Sequence, residues 1–142
     1  MKVSGNEILF IYNSKSIQDR RSFGYASALQ HYVIREFDIQ KDTLTETQLM
    51  EIADLLRVTP SQLMDQHSSI FKSKFADVVL TDEDALTALK MNADLLQTPI
   101  AIYHDHAEFV DSSFDFIKKD MSTKSISSEH ANPEERNTEQ DS

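Results

Sequence analysis

The spacing of apolar positions changes period several times along the chain, and each change predicts an element. Ile8–Tyr12 is an unbroken apolar run, the pattern of a strand covered on both faces. Asp19 to about Gln30 suits a helix with Phe23, Ala26, Ser27 and Gln30 sharing one face, although Gly24 weakens it. Residues 32–39, "YVIREFDI", alternate apolar and polar and predict a second strand. Strand, helix and strand within about thirty residues fit a right-handed βαβ unit.

The middle of the chain is helical by the same reading. "TETQLMEIADLLRV" opens with a capping box, Thr45 closing the first turn and Gln48 reaching back, and continues as an apolar stripe of Leu49, Ile52, Ala53, Leu55 and Leu56. "TPSQLMDQ" sets Pro60 at the first helical position behind Thr59, which predicts a short helix. "TDEDALTALKMN" predicts another, with Thr81 as cap, acids in the first turn where the dipole favours them, and Lys90 near its end. Ile100–Tyr103 and Ala107–Val110 then flank a His-Asp-His turn and predict a hairpin, and "SSFDFIKKD" predicts a last helical turn or two capped by Ser112 or Ser113. The order β-α-β-α-α-α-β-β-α is that of an α/β thioredoxin-like fold, a mixed sheet with an inserted helical segment.

Composition narrows the chemistry. The chain has 142 residues, room for one domain. Cysteine is absent, which excludes a disulfide, a thiolate nucleophile, cysteine-ligated zinc and an iron–sulfur cluster. The apolar run at the N-terminus is shorter than a signal-peptide core, and no stretch approaches a membrane span, so a cytoplasmic protein without membrane contact is expected. The formal net charge of −10 repels phosphate backbones and argues against direct nucleic-acid binding, while leaving room for a local basic patch. After Ile117 only Met121, Ile126 and Ala131 are apolar, too few to offset the entropy of ordering. The expected organisation is a folded domain over 1–118 and a disordered acidic tail over 119–142.

The segment "ILFIYNSKSIQDRR" carries the main chemical interest. It runs from a strand through a polar loop into a helix, and a helix N-terminus offers unpaired amides and the positive end of a dipole. Lys15, Arg20 and Arg21 add charge there. Asn13, Lys15, Ser16 and Arg20 are therefore candidates for holding an anionic or thiol ligand. The plainer alternative is an ordinary cap, with Ser16 or Asp19 closing the helix and the basic residues in solvent.

Three stretches resemble the arsenate reductase (ArsC)/Spx family of thioredoxin-like proteins, and together they span nearly all of residues 7–118. "FIYNSKSIQDRR" is similar to that family's strand-end loop, with Ser14 at its proline place, Ser16 at its cysteine place and Arg20 at its arginine. "LTETQLMEIADLLRVTPSQLMDQHSSIFKS" is similar to the family's helical insert. "LTDEDALTALKMNADLLQTPIAIYHDHAEFV" resembles its block of helix end, Leu-Leu pair and strand-opening proline, with Asn92, Leu95, Leu96, Pro99 and Ile100 matching. The resemblance implies a cis bond before Pro99 and adds Thr98 and Pro99 to the ligand-binding candidates.

The departures matter as much. Ser16 replaces the thiolate, and a serine hydroxyl cannot cycle through a disulfide. The arginine expected after the insert helix falls near Asp65, and Thr98 stands where another precedes the proline. A carboxylate near an anion's place is repulsive. Ser16 as a nucleophile would need a base, and His31, His67, His104 and His106 are all distant in sequence, with no nucleophile-elbow pattern around the serine. His104, Asp105 and His106 carry metal-type donors, but a tight turn splays them and spacing places no third ligand, so no metal is expected. His130 joins no constellation. These features give a non-catalytic binding or regulatory domain that takes a protein partner or a small anionic or thiol ligand. The resemblance offers a precedent, since Spx acts by binding RNA polymerase. The alternative is a glutathione-dependent oxidoreductase of arsenate reductase type, borrowing glutathione's thiol as its one external cofactor while Ser16 and Arg20 position it.

Overall fold

The structure, a computed structural model, describes residues 1–111; the helix expected after Asp111 and the 119–142 tail lie outside them. Its elements in chain order are β1 (Glu7–Tyr12), α1 (Ile17–Ser27), β2 (Val33–Asp38), α2 (Glu46–Leu56), α3 (Ser69–Lys74), α4 (Asp82–Met91), β3 (Ile100–Ile102) and β4 (Ala107–Phe109). Short 3-10 turns at Pro60–Leu63 and Ala93–Leu95 interrupt the helical segment.

The four strands form one mixed sheet in the order β2-β1-β3-β4. β1 is central, which is why its run needs no polar face: Ile8, Phe10 and Ile11 are completely buried. It pairs parallel with β2, Ile8 beside Ile34 and Tyr12 beside Asp38, as the βαβ reading requires. It pairs antiparallel with β3, Ile11 beside Ile100, and β3 turns back into β4. β2 is an edge, and its alternation is correspondingly loose: Val33, Arg35 and Glu36 are exposed and Asp38 is buried. On one face of the sheet Leu9 and Ile11 pack with Leu49, Ile52, Leu63, Leu89 and Leu95 from the helical segment. On the other, Ile8, Phe10 and Tyr12 pack with Ala26 and half-buried Phe23 of α1.

Local chemistry accounts for most of the boundaries. Thr45 and Gln48 make both halves of the capping box, at 3.0 and 3.1 Å. α2 ends at Arg57, which takes the left-handed conformation (φ 61°) usually left to glycine. Thr81 caps α4 by accepting from the Asp84 amide at 3.1 Å. The helix expected behind Pro60 is a single 3-10 turn, because the next residues leave it for extended pairing: Met64 bridges Leu96 and the Asp65 amide donates to the Leu95 carbonyl at 2.7 Å. α3 has no counterpart in the sequence reading and buries no residue fully.

α1 differs most from expectation. It starts at Ile17 and stops at Ser27, where the amides of Ala28 and Leu29 tighten onto Tyr25 and Ala26. Ser27 and Gln30, expected on the inner face, are exposed, whereas Asp19 and Ser22 are buried with Ala26. Apolar spacing could not reveal this, because the inner face of α1 is held by polar contacts.

Candidate functional site

The site forms where β1 runs out between its neighbours. Beyond Tyr12 the chain crosses from the sheet to α1 in four residues, Asn13 to Ser16. Parallel pairing puts the last residue of β2, Asp38, beside Tyr12. One step past the Ile11–Ile100 pair, the register sets Pro99 on the other side of Tyr12. The Thr98–Pro99 bond is cis, as the resemblance implied. The Ala93–Leu95 turn delivers Asp94 to the outer rim. Asn13, Lys15, Ser16, Arg20, Thr98 and Pro99 thus lie at one end of the sheet, joined by Asp19, Asp38, Gln40 and Asp94, which were not among the sequence candidates.

The loop is closed by its own side chains. Ser16 Oγ caps α1 by accepting from the Asp19 amide at 3.1 Å, and it donates to Asp19 Oδ1 at 3.3 Å. The second oxygen of Asp19 accepts from the Asn13 amide at 2.9 Å. Asp38 Oδ1 accepts from the Ser14 amide at 3.2 Å and the Gln40 amide at 3.0 Å. The Lys15 amide donates to Asn13 Oδ1 at 2.9 Å, and the Ser16 amide to the Asn13 carbonyl at 2.9 Å. Arg20 donates from Nη1 to the Ser14 carbonyl at 2.6 Å, bracing the loop from outside. On the rim, Gln40 Nε2 bridges Asn13 Oδ1 at 3.1 Å and Asp94 Oδ1 at 2.7 Å, and Asn13 Nδ2 donates to the same Asp94 oxygen at 3.3 Å.

Burial sharpens the electrostatics. Asp19 and Asp38 are each only 4% exposed, so two carboxylates sit inside the loop. Burial pushes the Asp38 carboxyl upward, but hydrogen bonds from Ser14 and Gln40 and the charge of Lys41 outweigh it, and Asp38 titrates below the usual carboxylate range. The other oxygen, Asp38 Oδ2, is buried with no hydrogen-bond partner. Beneath the loop, Tyr12 donates from its hydroxyl to Glu36 Oε2 at 2.6 Å and stacks on Phe23, ring centroids 4.8 Å apart. Burial and that carboxylate push the Tyr12 phenol up to about 12.

These contacts define what the loop can do. An anion held at a helix start is gripped by backbone amides. Here the amides of Asn13, Ser14, Lys15, Ser16 and Asp19 all donate within the chain, two of them to carboxylates. The group touching Ser16 Oγ is Asp19 rather than an imidazole. Asp65, at the expected arginine place, turns onto its own segment and accepts from the His67 amide at 2.9 Å. In the hairpin turn His106 pairs with Asp105 at 2.8 Å and stacks on Tyr103, while His104 is exposed. Among the described residues no group of three or more His, Asp or Glu side chains could hold a metal ion, and no helix is long and apolar enough to cross a membrane. Asp38, Gln40 and Asp94 left no spacing signal, because they meet only once the strands pair, whereas Asp19 stands three residues after Ser16 at the spacing of a helix cap.

No family profile and no curated protein sequence matches the chain. Solved structures do. An arsenate reductase from Vibrio cholerae superposes with a TM-score of 0.70 at 14% identity, covering 81% of this chain and 98% of its own. A protein from Yersinia pestis, provisionally named arsenate reductase, gives 0.69 at 18% identity over 78% of this chain and 98% of its own. A protein from Bacteroides fragilis, provisionally described as related to the ArsC family, gives 0.63 at 15% identity over 79% and 97%. At these identities the likeness is one of fold. The chain has the thioredoxin-like fold of the arsenate reductases, and it carries Ser16 at the loop and no cysteine anywhere.

Proposed function

We propose that the chain is a non-catalytic binding or regulatory domain built on the arsenate reductase fold. The observation that carries this reading is the self-closed loop. Thiol-based reduction of an oxyanion needs a thiolate to attack it and free donors to hold it. The chain has no thiol, and its own Asp19 and Asp38 accept the loop amides of Asn13 and Ser14. The same occupation favours a protein partner over a small anionic or thiol ligand, because a small anion would have to displace a buried carboxylate to reach those amides. Lys15, Arg20 and half-buried Thr98 then belong to the rim of a docking face, with buried Pro99 beneath it. Asn13 and Ser16 keep that rim in shape.

Purified full-length chain, assayed with glutathione and either arsenate or a mixed disulfide, is expected to show the background rate, unchanged by Ser16→Ala. Turnover above background that Ser16→Ala abolishes would establish the enzyme reading instead. Affinity capture with the full chain and with a chain lacking 119–142 tests the other half. A specific protein partner retained by either form is expected, and recovery of none by both would count against a binding role.

A further inference from the structure

The outward face of α1 combines exposed apolar side chains with positive charge. Its exposed positions include Ile17, Gln18, Arg20, Arg21, Gly24, Tyr25 and Ala28. Ile17, Arg21, Tyr25 and Ala28 recur at spacings of four, four and three, so they form one stripe along the helix. Ile17 is 65% exposed and Tyr25 46%, large apolar groups in water on a helix whose inner face holds Asp19 and Ser22. Lys15, Arg20 and Arg21 bring three positive charges to this face in a chain of net charge −10. The one acid between Lys15 and Ala28 is Asp19, and it is turned inward and buried. The carboxylates that hydrogen bonds place around the loop are engaged elsewhere: Asp94 with Asn13 and Gln40, Asp38 with Ser14 and Gln40, Glu36 with Tyr12.

Resting on the binding role proposed above, we infer that this face of α1 docks an acidic, partly apolar segment of a partner protein. Ile17 and Tyr25, about 12 Å apart along the axis, would seat its apolar side chains. Lys15, Arg20 and Arg21 would meet its carboxylates. Gly24, between the two anchors, has nothing within 4 Å of where a Cβ would stand, so the partner backbone can come close there. Complementary charge selects such a partner against a basic one. A polyanion such as nucleic acid, or an anionic membrane, fits less well: three cations give a short electrostatic footprint, and the rest of the chain repels a long one.

The test uses the full chain with a photo-crosslinking phenylalanine analogue at Gln18, on this face, and separately at Thr87, exposed on α4. The crosslinked segment is sequenced, synthesised as a peptide and titrated against the purified chain. The expected segment comes from another protein and is net acidic. Its affinity should fall about tenfold or more in Arg21→Glu and in Ile17→Asp, weaken with salt, and stay unchanged in Lys90→Glu. Should Ile17→Asp fail to fold, Arg21→Glu carries the test. A neutral or basic segment, a nucleic-acid or lipid adduct, or a crosslink to the chain's own residues beyond 111 overturns the inference. Adducts at Thr87 with none at Gln18 remove this surface and leave a binding role standing. Adducts at neither position overturn both.

Discussion

α1 and α2 are both 11 residues long and both start behind a hydroxyl cap, Ser16 and Thr45. Their buried faces are opposites. α2 buries Leu49, Ile52 and Ala53 against the sheet, and its cap ends an ordinary amphipathic stripe. α1 buries Asp19, Ser22 and Ala26, and its cap belongs to a network that reaches β1, β2 and the Ala93–Leu95 turn. One helix is held by area removed from water. The other is held in large part by hydrogen bonds that keep the loop in shape. A helix that breaks the usual inside–outside rule while keeping its polar groups partnered marks the region where shape serves something other than packing.

Substitutions can break or sharpen this contrast. The largest expected effect is in α2: Ile52→Ala, at a position with no exposure, should cost about 3 kcal/mol in urea unfolding. Next is Asp19→Ala. It leaves the Asn13 amide and the Ser16 hydroxyl without their acceptor and should cost about 2 kcal/mol. An unchanged urea midpoint would show that α1 does not depend on its polar face, and the contrast would fail. The two caps come third. Ser16→Ala and Thr45→Ala should each cost about 1 kcal/mol, since each removes one acceptor from a first-turn amide. A distinctly larger loss at Ser16 would show that its hydroxyl matters to the loop beyond capping.

The smallest effect at neutral pH lies beneath the loop. The Tyr12 phenol is raised to about 12 by burial and by Glu36, above the unfolded value of about 10. Its contribution to stability is therefore complete below about pH 10 and is lost as the pH climbs toward 12, because the unfolded chain gives up that proton first. Absorbance titration at alkaline pH should show Tyr12 ionising late, in a component that Tyr12→Phe removes. Glu36→Gln keeps an acceptor but removes the charge, and should bring that ionisation back toward 10.

What the sequence disclosed follows the same division. β1, the Thr45 capping box, the Thr81 cap and the hairpin rest on local chemistry and apolar period, and the structure has them within one residue of that reading. The resemblance of the Leu95–Ile100 block anticipated the bond before Pro99. Two kinds of feature were illegible. α3 packs Ile70 and Phe71 only half-buried, so its pattern never separated from its loops. Spacing sets Phe23, Ala26, Ser27 and Gln30 on one face of α1, and of these Ala26 is buried and Phe23 half-buried while Ser27 and Gln30 are exposed. Asp19 is inside because the cap folds back on itself, with the Ser16 hydroxyl and the Asn13 amide as partners, whereas the meeting of Asn13, Gln40 and Asp94 appears only once β1, β2 and the Ala93–Leu95 turn have come together. The fold was therefore readable well ahead of the loop's internal wiring.

The central claim is that the loop amides of Asn13 and Ser14 are occupied by the chain's own carboxylates, Asp19 and Asp38. The most direct test is an amide spectrum of nitrogen-labelled full-length chain, titrated with arsenate and separately with glutathione. The amides of residues 13–20 should hold their positions at millimolar ligand, because Asn13 and Ser14 already donate to Asp19 and Asp38. Saturable shifts confined to those residues, and lost in Arg20→Ala, would mean that the loop opens to an outside ligand and would contradict the account.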